Sequence, residues 1–136
     1  MKWRGLPAEE EAVALKNNLA SLLLSSVDPN NDLAFYVHRQ SCHQTRFHSR
    51  DISRNAPLFP LMNDLALPIF LIWGSEDVTA VPQSIGAKLV HGREERSLAI
   101  VPDAGHWTQF EKPDAINDLL LRWGMEDSVR KRNGSP

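Results

Sequence analysis

The chain has one cysteine, no excess of charge of either sign and no long apolar run, and each shortage removes a class of protein. Cys42 is the only cysteine among 136 residues, which excludes an internal disulfide framework and a cysteine-based zinc motif. Fifteen Lys plus Arg face seventeen Asp plus Glu, and the net charge of -2 offers no basic field for nucleic acid or an anionic membrane. The basic cluster Arg130-Lys131-Arg132 lies in a tail ending Gly-Ser-Pro and reads as solvated chain. No stretch approaches the ~18 apolar residues of a membrane span. The start, Met1-Lys2-Trp3-Arg4-Gly5-Leu6-Pro7 followed by Glu9-Glu10-Glu11, has no apolar signal-peptide core. Asn133-Gly134-Ser135 matches a glycosylation sequon, which without a secretion signal reads as chance. A cytoplasmic setting is the expectation. Internal repeats and low-complexity tracts are also missing.

What remains is an ordinary globular composition, 42% hydrophobic and 24% charged. A domain of about 150 residues buries roughly two thirds of its unfolded surface, so a true core is within reach. The chain divides into three parts. Residues 1–60 read as a helical, polar segment: Ala12, Leu15, Leu19, Leu22 and Leu23 recur at spacings of three and four, one apolar stripe. Asp28-Pro29-Asn30-Asn31-Asp32 breaks that helix and caps the next. Residues 33–48 carry Leu33, Val37 and Phe47 among polar side chains, a face suited to a crevice or a partner surface rather than a deep core.

Residues 61–124 read as α/β. Ile69-Phe70-Leu71-Ile72-Trp73, ending in Gly74, is a continuous apolar run expected to be a strand buried on both faces. Pro82 opens a helix with Ile85, Leu89 and Val90 on its apolar side and Gly92 at its end. Ser97-Leu98-Ala99-Ile100-Val101 is a second strand. Strand, helix and strand with short loops make a βαβ unit, hence parallel pairing. A closing helix presents Ile116, Leu119, Leu120 and Trp123 to the core and stops at Gly124. Residues 125–136 are expected to be a flexible tail.

The chemistry is expected beyond the carboxyl ends of the parallel strands, where α/β folds place functional groups. Two loops follow the two strands there: Trp73-Gly74-Ser75-Glu76-Asp77 and Pro102-Asp103-Ala104-Gly105-His106-Trp107. A carboxylate that holds a histidine through one ring nitrogen leaves the other free as a general base. Asp77 and His106 are separated by the remainder of one βαβ unit, so their loops can lie side by side. Spacing alone equally suits a loop-capping Asp77 and a packed surface His106, and Glu76 and Asp103 compete as acids by proximity.

Residues 67–123, from Leu67-Pro68 and "IFLIWGSEDVTAVP" to "VPDAGHWTQFEKPDAINDLLLRW", resemble the C-terminal part of the α/β-hydrolase family. The likeness lies in a strand ending in Gly-x-x-Asp, a Gly-His loop and a Glu-Lys-Pro that opens a helix, in that order. The resemblance implies Asp77 as triad acid and His106 as general base. "NNLASLLL" and "QTRFHSRDISR" are similar to the helical cap of hydrolases close to the carbon–carbon bond hydrolases of aromatic ring-cleavage pathways. "GHWTQFE" is similar to the Gly-His-Trp loop of those enzymes. By that likeness Arg46 or Arg50 binds a substrate carboxylate and Trp107 lines the pocket.

The fold class implied is α/β: a partial α/β-hydrolase, with a helical cap remnant, a βαβ unit with parallel strands and a C-terminal helix. The family also needs a nucleophile on a sharp turn, Gly-x-Ser-x-Gly or a near variant, before the acid. None of the seven glycines has a partner four residues away around a Ser, Cys or Asp. Ser75, which follows Gly74, precedes a charged pair and does not match. The oxyanion loop is missing as well. An acid and base without these elements should retain little acyl-transfer activity. No cofactor is expected. His38 and Cys42, at i and i+4 with His43 and His48 nearby, fall short of the three or four converging ligands of a zinc site, so no metal is expected.

Two strands alone would leave Ile69–Trp73 with an open apolar edge, which invites pairing or aggregation. The expected partners are therefore a second copy of the chain or a complementary N-terminal hydrolase half, with a small-molecule substrate in the complete enzyme. Two function classes follow. One is a hydrolase of esters or carbon–carbon bonds, with this chain inactive alone. The other is a non-catalytic remnant or interaction module. An upstream Gly-x-Ser-x-Gly segment discriminates them.

Overall fold

The structure, a computed structural model, describes residues 1–28, 30–47, 58–65 and 67–133. Helix α1 spans Ala8–Asn18, with Glu9, Glu10 and Glu11 in its first turn, where the helix dipole favours negative charge. It runs into a π-helical turn, Leu19–Leu23. The Leu24 N–H reaches back five residues to the Leu19 carbonyl at 3.0 Å, so the turn is wider than an α-turn. That widening corrects the expected stripe: Leu19 and Leu24 turn inward at 0% and 8% exposure, while Leu22 is 48% exposed. Helix α2, Asp32–Gln44, is capped by Asn31, whose side chain accepts the Ala34 N–H at 3.0 Å. Its Ala34 completes a small core with Leu19 and Leu24, against which Phe35, Trp107 and Phe110 pack. Leu33, Val37 and Phe47 are all exposed, and the polar His38 takes the buried position on this face instead. The Glu11 carboxylate joins α1 to α2, bonding Arg39 Nε and His43 Nε2 at 3.0 Å each.

Helix α3, Leu58–Asn63, precedes the sheet. Strand β1, Ile69–Gly74, helix α4, Pro82–Val90, and strand β2, Arg96–Val101, form the expected βαβ unit. The strands pair in parallel, from Ile69 opposite Arg96 to Gly74 opposite Val101. β1 departs from expectation in burial: Ile69–Trp73 are half-buried, and among the described residues β1 pairs with β2 alone, so its other edge has no strand beside it. Arg96, outside the expected strand, is the buried anchor of this unit at 7% exposure. Its guanidinium donates to the Leu89 carbonyl at 2.9 Å, near the end of α4, and to the Met62 carbonyl of α3. A cation there satisfies carbonyls that a helix end leaves open.

Helix α5, Thr108–Glu111, and helix α6, Pro113–Asn133, close the described chain. Ile116 and Leu119 of α6 pack on Val101, Ala104 and Ile72, and Trp123 stacks on Phe70 with ring centres 5.8 Å apart. Leu120 is exposed, contrary to the expected stripe. The helix also continues through Gly124 to Asn133, where a stop and a flexible tail were expected. Glycine inside a helix costs only about 1 kcal/mol relative to alanine, and Met, Glu, Lys and Arg beyond it are good helix formers. Among the described residues the molecule is thus mixed α/β, with helices around a two-stranded parallel sheet. Among the described residues, no helix is long and apolar enough to cross a membrane.

Candidate active site

The two loops predicted to carry chemistry meet at the carboxyl ends of the strands, and Gly74 is the residue that lets them meet. A Cβ at Gly74 would lie 2.0 Å from the Ala104 carbonyl oxygen and 2.4 Å from that of Gly105, so only glycine allows the histidine loop to rest on β1. Backbone bonds then lace the loops together: Ser75 N–H to the Val101 carbonyl and Glu76 N–H to the Ala104 carbonyl, each at 2.9 Å. The Ser75 hydroxyl donates to Glu76 at 2.9 Å and accepts the Asp103 N–H at 3.1 Å. Ser75 and Glu76 are therefore loop braces. Asp103 sits at φ 52°, the left-handed region that Asp tolerates better than most residues. Neither Glu76 nor Asp103 bonds the histidine.

Asp77 does. Its Oδ2 lies 3.0 Å from His106 Nδ1. Asp77 is 5% exposed, whereas the His106 side chain is 44% exposed. Thr79, which the sequence reading did not single out, completes the arrangement. Its N–H and hydroxyl donate to Asp77 Oδ1 at 2.8 and 2.7 Å, and its Oγ1 stands 3.0 Å from His106 Nδ1. The local signal was Asp77-Val78-Thr79, a spacing at which an Asp side chain bonds the backbone two residues on. Burial alone would raise the Asp77 pKa, but the Thr79 hydroxyl, His106 and the Thr79 N–H together hold it below its ordinary value. An ionised Asp77 with Thr79 already donating to Oδ1 assigns the imidazole proton to Nδ1, through the hydrogen-bond network. In the neutral ring Nε2 is then the acceptor, and no described residue bonds it.

The His106 ring borders two clefts. One, of about 190 Å³, has the turn around Leu22–Ser25 as its far wall and Val78 beside it. The other, of about 240 Å³, is shared with Asp77, Ile72 and Gln109. A larger hollow of about 550 Å³ lies between Met1–Arg4 and Leu22, away from the acid–histidine pair.

A second carboxylate, also unforeseen, braces the histidine loop. Glu111 Oε1 accepts N–H bonds from Ser25 at 2.7 Å, Ser26 at 2.6 Å and Val27 at 3.2 Å, plus the Ser26 hydroxyl at 3.2 Å. Oε2 accepts the Gly105 N–H at 2.5 Å. Burial works to raise the Glu111 pKa, and the backbone donors, Ser26 and Gly105 foremost, outweigh it and lower it.

Trp107 adjoins His106, but its indole packs edge-on against His38, 6.0 Å away, and beside Phe110 in the helical core. Arg46 is exposed just beyond α2. Arg50 and His48 lie outside the described residues. Cys42 Sγ is 3.9 Å from both ring nitrogens of His38, so the pair shares a helix face. Burial lowers the His38 pKa and raises that of Cys42. Among the described residues, no group of three or more His, Cys, Asp or Glu is placed to hold a metal.

Comparison with known proteins yields curated relatives that share one name, 2-hydroxy-6-oxononadienedioate/2-hydroxy-6-oxononatrienedioate hydrolase. The Klebsiella pneumoniae protein is 34% identical over 64 residues, 47% of this chain and 22% of its own length. The Paraburkholderia xenovorans protein is 32% identical over 62 residues, 46% of this chain and 21% of its own. The Paraburkholderia phymatum protein is 30% identical over 76 residues, 53% of this chain and 26% of its own. The chain thus spans about a quarter or less of the length of these relatives. These relatives are hydrolases by name, and the match fits the resemblance carried by the motifs. No family model matches the chain, and no solved structure matches it.

Proposed function

From this kinship with carbon–carbon bond hydrolases we propose that Asp77 and His106 are the acid and general base of a hydrolase site of the same kind. The hydrogen bond from Nδ1 to Asp77 carries the reading, because it fixes the tautomer that leaves Nε2 basic. Nε2 would take a proton from a nucleophile or water, and the buried Asp77 carboxylate would stabilise the imidazolium that forms. Thr79 keeps Asp77 ionised and turned toward the ring.

The relatives' name points to a substrate that is an oxo-dienedioate, a dianion with a ketone. Arg46 is the described cation proposed for one of its carboxylates, and Arg50 is the alternative. Trp107, beside His106 in sequence, is proposed to line the pocket of the complete enzyme. The nucleophile and oxyanion donors are proposed to come from a polypeptide segment outside this sequence that pairs with β1. The half-buried β1, paired only with β2 among the described residues, supports that arrangement. A second copy of the chain is the other candidate for the same edge. The chain alone is then expected to be inactive.

The test is a fusion that places the remainder of a relative's chain ahead of these residues, assayed by the loss of dienolate absorbance. The fusion should turn over an oxo-dienedioate, and Asp77→Asn should slow it by about 10⁴-fold, the loss typical when the histidine tautomer is no longer held. His106→Ala should abolish turnover. A folded His106→Ala fusion with undiminished turnover sinks the assignment. Nitrophenyl-ester hydrolysis by the unfused chain that is lost in His106→Ala would overturn the inactivity of the chain alone.

A further inference from the structure

His106 is tied on both sides to the 23–27 segment, through Glu111 on one side and directly on the other. The preceding residue, Gly105, gives its N–H to Glu111 Oε2, and the following residue, Trp107, gives its N–H to the Leu23 carbonyl at 2.9 Å. The same Glu111 carboxylate gathers the three successive N–H groups of Ser25, Ser26 and Val27, a concave backbone arrangement that suits an anion. The Thr108 hydroxyl bonds the Gly105 carbonyl at 2.7 Å and tightens the turn between them. The loop and the segment approach so closely that a Cβ at Gly105 would stand 3.0 Å from the Leu23 oxygen and 3.1 Å from the Ser25 nitrogen. With both flanking peptides tied, the backbone of His106 has little freedom, and its side chain inherits that direction.

We propose that Glu111 is a positioning residue: its carboxylate fastens the 25–27 turn to the histidine loop and thereby holds the His106 ring where Nδ1 meets Asp77. The inference rests on the reading of Asp77 and His106 as an acid–base pair. It also accounts for the first cleft, since the same bond sets the distance between His106 and the Leu22–Ser25 wall. A carboxylate is required because every contact on both oxygens is a donor. Glutamine keeps the shape but must turn an NH₂ group toward at least one N–H.

The experiment uses the whole chain, labelled for NMR, with Glu111→Gln beside wild type. In wild type the His106 Nδ1 proton should give a low-field resonance. In Glu111→Gln that resonance is lost, and the amides of Ser25, Ser26, Val27 and Gly105 exchange at least about tenfold faster, as expected for lost bonds to a charged acceptor. The amides of β1, α4 and β2 stay at wild-type protection, which separates mispositioning from a general loss of fold. Unchanged exchange and an unchanged Nδ1 resonance would overturn the proposal.

Asp77→Asn is the companion variant. It should lose the resonance while Ser26 and Gly105 stay protected. If it keeps the resonance, the acid–base reading fails, and the amides alone then decide the role of Glu111. Should Glu111→Gln not fold, native-state exchange of wild type across denaturant decides the matter. Ser26 and Gly105 opening together supports the fastening, and Gly105 remaining protected after Ser26 has opened overturns it.

Discussion

The helical segment formed by α1, the π-turn and α2 holds the fully buried Leu15 and Leu19, whereas the βαβ unit carries the candidate acid and base and, among the described residues, leaves one edge of β1 unpaired. In the first, Leu15, Leu19 and Ala34 are fully buried, and Trp107 and Phe110 from beyond the segment pack on Leu19 and Ala34. In the second, every residue of Ile69–Trp73 is half-buried, and the candidate acid and base lie at the strand ends. The contrast teaches that burial and function are divided between the regions. The helices lend rigidity to loops that the sheet by itself would hold on one side only. The regions join through the Glu111 carboxylate, the Trp107–Leu23 bond and the packing of Trp107 and Phe110 on the helical core.

The sharpest way to break the contrast is to empty the helical core. Leu19→Ala should cost about 2–5 kcal/mol, the usual range for a leucine truncated in a packed core. Urea unfolding should show that loss, with the helical amides opening before those of β1 and β2. A loss spread evenly over both regions would mean that they unfold as one unit. The opposite intervention is Gly74→Ala, whose new methyl meets the Ala104 carbonyl. It should cost about 1–3 kcal/mol through forced backbone movement and should part Asp77 from His106 with the α1–α2 amides unmoved. Retained low-field Nδ1–H signal in that variant would show that the loops tolerate separation.

Acid should act on the two regions at different pH. The His38 pKa lies below its ordinary 6.5 in the folded chain, so the unfolded state takes up a proton first. The stability tied to neutral His38 is complete above pH 6.5 and is lost as pH falls through the lowered folded value. Asp77 and Glu111 are also lowered, from 3.8 and 4.5, so their contribution is present above those values and disappears only in stronger acid. The urea midpoint should therefore fall in two stages, and His38→Gln should remove the upper one. A single stage below pH 4.5 would show that His38 is not buried as a neutral ring. The smallest effect is expected for Glu11→Gln, which removes the ion pairs to Arg39 and His43. Ion pairs whose cations are open to solvent, as Arg39 and His43 are, contribute little, and the urea midpoint should barely move.

Several features of the site were legible because they are local. A Pro-bounded apolar run, a Gly-x-x-Asp turn and a Gly-His turn each announce themselves within a few residues, and Asp77 and His106 were found that way. Thr79 was within reach by the same logic, two residues after Asp77. The inward turn of Leu24 was not, since one hydrogen bond from Leu24 to Leu19 shifts the helical register that periodicity assumes. Arg96 was hidden for a different reason: an arginine at a strand's start reads as surface until the Leu89 and Met62 carbonyls arrive to bond it.

The sequence by itself determined the parallel βαβ unit, the two loops at its carboxyl end and the residue types that suit an acid and a base, because patterning and turn chemistry act over neighbouring residues. The tertiary structure put Asp77, the acid implied by the resemblance, and neither Glu76 nor Asp103 against the imidazole. It alone placed Thr79 and Glu111 around that pair. Ser25 and Glu111 are 86 positions apart, and whether such groups meet depends on how the whole chain closes on itself rather than on any local spacing.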